Sequence, residues 1–382
     1  MIPVNKVFFE QVFMNITLWG WGRYGIAVAV SILLGVPAVA APSTIKISQG
    51  VSQQGGGNPA AAAERALTEG EQLYQQGTAE SLRKAIVKFE EALKLYREAG
   101  DRSLEALTLN NIATVYSALG EKQKALGYYS QSLPLIRAVG DRSGEARILN
   151  NIGGVYSKLG EIQKALEYYS QSLPLSRAVG DRGGEATTLN NIGLVYSELG
   201  EKQKALEYYS QSLPLFRAVG DRSGEARTLN NIGLVYSALG EKQKALEYYS
   251  QSLPLRRAVG DRAGEATTLN NIGLVYSELG EKQKALEYYS QSLPLRRAVG
   301  DRGGEATTLN NIGFVYSELG EKQKALEYYS QSLPLSRAVG DRAGEGHTLN
   351  NIGFVYSELG EKQKALEYYS QSLPLSRAVG DR

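Results

Sequence analysis

Residues 261–300 read DRAGEATTLNNIGLVYSELGEKQKALEYYSQSLPLRRAVG, and residues 301–340 repeat them with three changes, at 303, 314 and 336. The Asp-Arg pair that opens this stretch recurs at 101, 141, 181, 221, 261, 301 and 341, and again at Asp381-Arg382. The period is forty. Self-similarity at a fixed step marks an array in which each unit buries its apolar face only against its neighbours, so the 382 residues are not divided into independent domains.

Inside the unit, Leu269, Ile272, Tyr276 and Leu279 fall at helical spacing until Gly280 stops the run. A second helical run holds Ala285, Leu286, Tyr289 and Leu293 and closes at Gly300. Two amphipathic helices joined at a glycine form one hairpin. Asp261 is placed to cap the first helix after Gly260 ends the preceding one, because a left-handed glycine and a side-chain acceptor satisfy orphaned backbone groups. Pro294 and its equivalents at 134, 174, 214, 254, 334 and 374 sit inside the second helix, where a proline removes one hydrogen bond. A kink is expected there, giving the array curvature.

These residues carry a specific resemblance. Leu269-x2-Ile272-Gly273-x2-Tyr276 followed by Ala285-x3-Tyr289 resembles the tetratricopeptide-repeat (TPR) pattern, and Gly273, Ala285 and Ser292 are the small residues that let paired helices approach. The register holds in all seven units from 101, with Ala113 in place of the glycine in the first. The forty-residue unit, with Gly-Asp-Arg junctions and Leu-Asn-Asn-Ile-Gly, is similar to the repeats of spindle-orientation G-protein regulators and kinesin light chains. Signal, linker and near-identical repeats together look most like the N-terminal half of bacterial proteins carrying a C-terminal CHAT (caspase-like) domain. The resemblance implies an all-α fold: a right-handed superhelix of about eight helical hairpins that binds protein or peptide on its concave face. The alternative it raises is the sensor or recruitment arm of a CHAT-type protease.

The remaining segments are read around this array. Gly25–Val36 is an apolar run of about twelve residues, short of the roughly 20 a spanning helix needs, with Arg23 before it and Pro37-Ala38-Val39-Ala40-Ala41 after it. Residues 1–40 are therefore expected to be a signal peptide cut between Ala40 and Ala41, and the protein exported to the periplasm or beyond. Initiation at Met14 would give a more ordinary leader, and an uncleaved membrane anchor is the alternative. Residues 41–58, rich in Gly, Ser and Gln, read as a flexible linker, and 59–100 as a divergent first unit opened by Asn58-Pro59. Units 101–380 follow, and 381–382 would begin another. With nothing after it, the last unit is expected to self-associate through its uncovered end or to fray.

Composition narrows the function. The chain has 42 Lys+Arg against 40 Asp+Glu, a balance with no pull toward nucleic acid. It has no cysteine, which excludes disulfides, thiolate metal sites, a cysteine nucleophile and a lipidated cysteine. With His347 as the single histidine, no imidazole metal cluster can form, and neither metal nor cofactor is expected. Any paired-carboxylate site would have to recur in several units, so the chain reads as non-enzymatic. The tyrosines at 276, 288 and 289, and their equivalents, are assigned to packing.

The binding residues are sought on the first helix. Asn111, Asn151, Asn191, Asn231, Asn271, Asn311 and Asn351 form one periodic row of amides, each able to donate to and accept from an extended peptide backbone. One turn on, Thr114, Gly154, Leu194, Leu234, Leu274, Phe314 and Phe354 vary and grow more apolar toward the C-terminus, as a selectivity series would. Duplication that carried the asparagines along as passengers is the bland alternative.

Overall fold

A computed structural model describes residues 59–379, and among them every regular element is an α-helix. The expected signal peptide and linker, with Ala40, Ala41 and the Asn58 cap, lie outside the described residues. Eight hairpins follow one another: α1 (Pro59–Gln75) with α2 (Ala79–Ala99), α3 (Arg102–Ala118) with α4 (Lys122–Val139), α5 (Arg142–Lys158) with α6 (Ile162–Ala178), and α7 (Arg182–Glu198) with α8 (Lys202–Val219). Then come α9 (Arg222–Ala238) with α10 (Lys242–Ala258), α11 (Arg262–Glu278) with α12 (Lys282–Ala298), α13 (Arg302–Glu318) with α14 (Lys322–Ala338), and α15 (Arg342–Glu358) with α16 (Lys362–Val379).

Local chemistry sets each boundary. Gly260 and Gly280 adopt φ of 70° and 80°, which an L side chain would resist, and they end the second and first helices in turn. The Asp261 carboxylate accepts the Gly264 N–H at 2.8 Å, as expected of an N-cap. Pro294 does not end its helix: α12 runs on to Ala298. Both Pro294 and Ser290, the residue whose carbonyl loses its partner, are accessible to solvent, so water can take the place of the missing bond.

Tyr289 organises the packing. Its ring is fully buried, and a Cβ added at Gly273 would lie 2.7 Å from the ring's Cε1. The glycine is thus needed for close approach within the hairpin. The same tyrosine packs with Ala285 against Ile312 and Val315 of the following unit. Ser292, expected only to be small, also donates its hydroxyl to the Ala266 carbonyl at 2.8 Å and is itself buried. At the hairpin bend, Tyr276 stacks on Tyr288 with ring centroids 5.4 Å apart, and the Lys284 ammonium lies 5.1 Å from the Tyr276 centroid. Leu279 departs from its expected place in the apolar run: it is the C-cap of α11 and 44% exposed.

First helices of successive units touch one another directly, whereas second helices contact chiefly the first helices before and after them. The first helices therefore crowd on the inner side of the solenoid and the second helices fan out on the other. At the C-terminal end, Phe354 is 50% exposed, where the equivalent Phe314 is half-buried by the next unit.

Gly313→Val should therefore lower stability by about 2 kcal/mol or more through overpacking against Tyr329, whose ring a Cβ there would meet at 2.7 Å. Ala113 shows that the first unit accommodates a single methyl at this place. Gly303→Ala, in the same helix but with only ordinary contact to a Val339 methyl at 4.0 Å, should be neutral or stabilising. Urea unfolding followed by circular dichroism compares the two, and equal effects would contradict the packing account.

Candidate functional site: the open face of the first helices

The first helix of each unit leaves one stripe only partly covered. In α11 it holds Ala263, Thr267, Asn271, Leu274 and Glu278, spaced at i+3 and i+4. Its opposite side, with Ala266, Leu269, Ile272 and Val275, is buried. Stacked side by side, the stripes make a continuous inner surface. The varying series lies on it: Thr114, Gly154, Leu194, Leu234, Leu274 and Phe314 are half-buried, and Phe354 is exposed.

The asparagines divide into two roles that helical spacing alone does not separate. From Asn110 to Asn310 the first of each pair is turned into the joint with the following unit, with Asn190 1% exposed and Asn230 4% exposed, whereas Asn350 is exposed. The Asn230 carbonyl oxygen accepts from Asn271 Nδ2 at 3.2 Å and from the Thr268 hydroxyl, also at 3.2 Å. Asn190 accepts likewise from Asn231 at 3.4 Å and Thr228 at 3.1 Å, and Asn270 from Asn311 at 3.3 Å and Thr308 at 3.1 Å. Asn151, Asn191 and Asn351 donate backward in the same way, to Asn110, Asn150 and Asn310. The Asn111 carbonyl oxygen instead accepts from its own neighbour, Asn110, at 3.3 Å.

The amide row is thus a set of rivets between units before it is anything else. Its members from Asn151 onward, all half-buried, each spend one N–H on the preceding unit. This gives the paired asparagines a structural reason that neither a peptide ladder nor passive duplication supplied. The signal lay in the sequence as Thr268-Leu269-Asn270-Asn271, but the partners are 38 and 41 residues away.

A second row of polar joints runs along the bend edge of the open face. Lys242, Lys282 and Lys322 start second helices and pair with Glu278, Glu318 and Glu358, which end the first helix of the next unit; the last pair measures 2.5 Å. Each ammonium is also held by a carbonyl of its own unit, as Lys282 is by Ser277 at 2.9 Å. Lys282 and Lys322 lie 6.0 and 5.7 Å from the ring centroids of Phe314 and Phe354, which puts this row beside the varying series.

Tyrosine phenols under this surface are kept protonated. Burial pushes Tyr129 up, against the hydrogen bonds of Thr114, whose hydroxyl lies 3.0 Å from the phenol, and of Asn151. Tyr74 is pushed up to about 12 by burial alone. Among the described residues no group of His, Asp and Glu is placed to hold a metal ion, and no helix is long and apolar enough to cross a membrane.

Because Asn190 is buried with two donors aimed at it, Asn190→Ala should cost about 1–3 kcal/mol, the usual cost of stranding buried polar groups. Asn231→Ala, which removes a partly exposed donor, should cost about 1 kcal/mol or less. Urea midpoints of the two variants check the order, and its reversal would contradict the assignment of roles.

The profile of the tetratricopeptide repeat matches residues 62–138, 144–218, 205–258, 224–298 and 301–378. No curated protein sequence matches. Among solved structures the chain is similar to the apo form of the quorum sensor NprR from B. thuringiensis (17% identity, TM-score 0.66, 83% of this chain and 88% of that one). It is also similar to a Rap protein complexed with competence and sporulation factor (14% identity, TM-score 0.58, 84% and 100%). A third likeness is to a STAND protein with a tetratricopeptide repeat sensor from Pyrococcus horikoshii (17% identity, TM-score 0.63, 87% and 55%). At these identities the likeness speaks to the fold, and the resemblance to CHAT-domain proteins finds no support among these matches. With the profile covering most of the chain and the hairpin array built as that pattern demands, this chain belongs to the tetratricopeptide-repeat family.

Proposed function

We propose that the chain is a non-enzymatic scaffold that binds an extended peptide or protein segment along the open face of its first helices, outside the cytoplasm once its leader is removed. One observation carries this: a continuous, half-covered stripe whose lining changes from Thr114 and Gly154 through three leucines to Phe314 and Phe354. Variation along an accessible surface lets an array read different parts of one ligand, whereas the varying position held by Ile136, Ser176, Phe216 and Arg296 is buried and offers no such surface. The Rap protein seen with competence and sporulation factor supports the reading, as a similar fold holding a partner.

The asparagines keep a place in this reading, in reduced form. Asn271 and Asn311 each spend one N–H on the frame, leaving the carbonyl oxygen and second N–H to meet a peptide backbone, while Asn231 also bonds the Tyr209 phenol. Each such bond nets about 0.5–1.5 kcal/mol, so several in register give affinity with little sequence selectivity. Selectivity then falls to the apolar series.

The test begins with peptides selected by display on the full chain. Leu194, Leu234 and Leu274 are changed together to Thr, the residue the first unit carries there, so the frame should persist. Affinity should fall about tenfold or more, since each leucine that a ligand covers contributes about a kilocalorie. Glu247→Arg, on the outer side of a second helix, should change little. Unaltered binding in the leucine variant with an intact fold would overturn the reading.

A further inference from the structure

The Lys–Glu row along the bend edge is complete at the last three junctions of the near-identical array and broken at the first three, each time differently. At the first, Lys158 stands where glutamate stands later, so two ammonium groups, Lys122 and Lys158, share the place of an ion pair. Lys122 donates to the Lys158 backbone carbonyl, and burial together with Lys122 lowers the Lys158 pKa. At the second, Glu198 is present but Ile162 replaces the lysine. At the third, Lys202 is held in the usual way by the Ser197 carbonyl at 2.8 Å, but Ala238 replaces the glutamate. The Lys–Glu pair therefore cannot form at these three places among the described residues.

We propose that these open junctions form a charge-reading subsite of the groove, taking an extended segment that presents acidic, then basic, then acidic side chains to successive units. The later junctions show the geometry that the ligand would complete: a carboxylate on Lys242, Lys282 or Lys322. Lys202 is already anchored by a carbonyl of its own unit, as Lys242 and Lys282 are. Its side chain therefore needs no reordering to receive a carboxylate, which lessens the entropic cost of binding. The Lys122–Lys158 place offers two cations with no carboxylate between them, and Glu198 offers the reverse. Adjacent first helices lie about 10 Å apart, close to three extended residues at about 3.3 Å each. The ligand's charges would thus alternate roughly every third residue.

This inference rests on the groove reading above, and its test is built to fail separately. The probes are two fluorescein-labelled peptides of the same composition, Ac-EEEKKKEEE-NH2 and Ac-EEEEEEKKK-NH2, titrated by fluorescence anisotropy at low salt. The variant combines Lys158→Glu, Ile162→Lys and Ala238→Glu, each the residue that later units carry, so it completes the row without foreign chemistry. The wild-type chain should prefer the alternating peptide by about fivefold or more, and the variant should lose that preference while melting no lower. Equal binding of the two peptides to wild type, failure of both to bind, or a preference that survives in the variant would overturn it. If display-selected peptides still depend on Leu194, Leu234 and Leu274, the groove reading stands and only the charge pattern falls.

Discussion

A tyrosine ring resting on a glycine holds this molecule together. Tyr289 occupies the space that a side chain at Gly273 would need, and its other side meets Ile312 and Val315 of the next unit. One residue thus closes its own hairpin and supplies the surface on which the next is built. Burying such a ring is worth about 1.5–3 kcal/mol, and no hairpin can bury it alone. Stability therefore accrues along the array, as expected when every unit is finished by its neighbour. The inner face follows from the same packing: first helices crowd together, and among the described residues no helix covers the stripe opposite their packed side.

Much of this was legible in the sequence. The period, the hairpin, the glycine stops, the Asp261 cap and the packing role of the tyrosines all depend on residues within one unit or its boundary, where helical spacing and capping chemistry operate. Leu279 misled because it keeps the helical spacing up to the expected Gly280 stop, yet as the C-cap residue it is exposed. Pro294 lies inside the second helix as its position suggested, with the missing bond on the solvent side.

What the sequence hid lies between units. Thr268 and Asn271 meet Asn230, and Lys282 meets Glu318, across separations close to the repeat length. No motif within one unit shows such a pair, because its halves appear as isolated polar residues on a helix. Hence the asparagines looked available for a ligand, and the lysines and glutamates looked like solvated surface. Once the joints are known, the few places where units differ gain meaning. Many fall on the open stripe and its edge, at the series from Thr114 to Phe354 and at Lys158, Ile162 and Ala238, and others fall at one buried position, that of Ile136, Ser176, Phe216 and Arg296.

A ligand of this array is expected to lie along the first helices and not around the outside. Site-directed photo-crosslinking tests this most directly, with a benzophenone side chain placed in turn at 154, 234 and 314 on first helices and at 167, 247 and 327 on second helices. A display-selected peptide should be captured from the first set and not from the second. Capture from the second set, with none from the first, would contradict it.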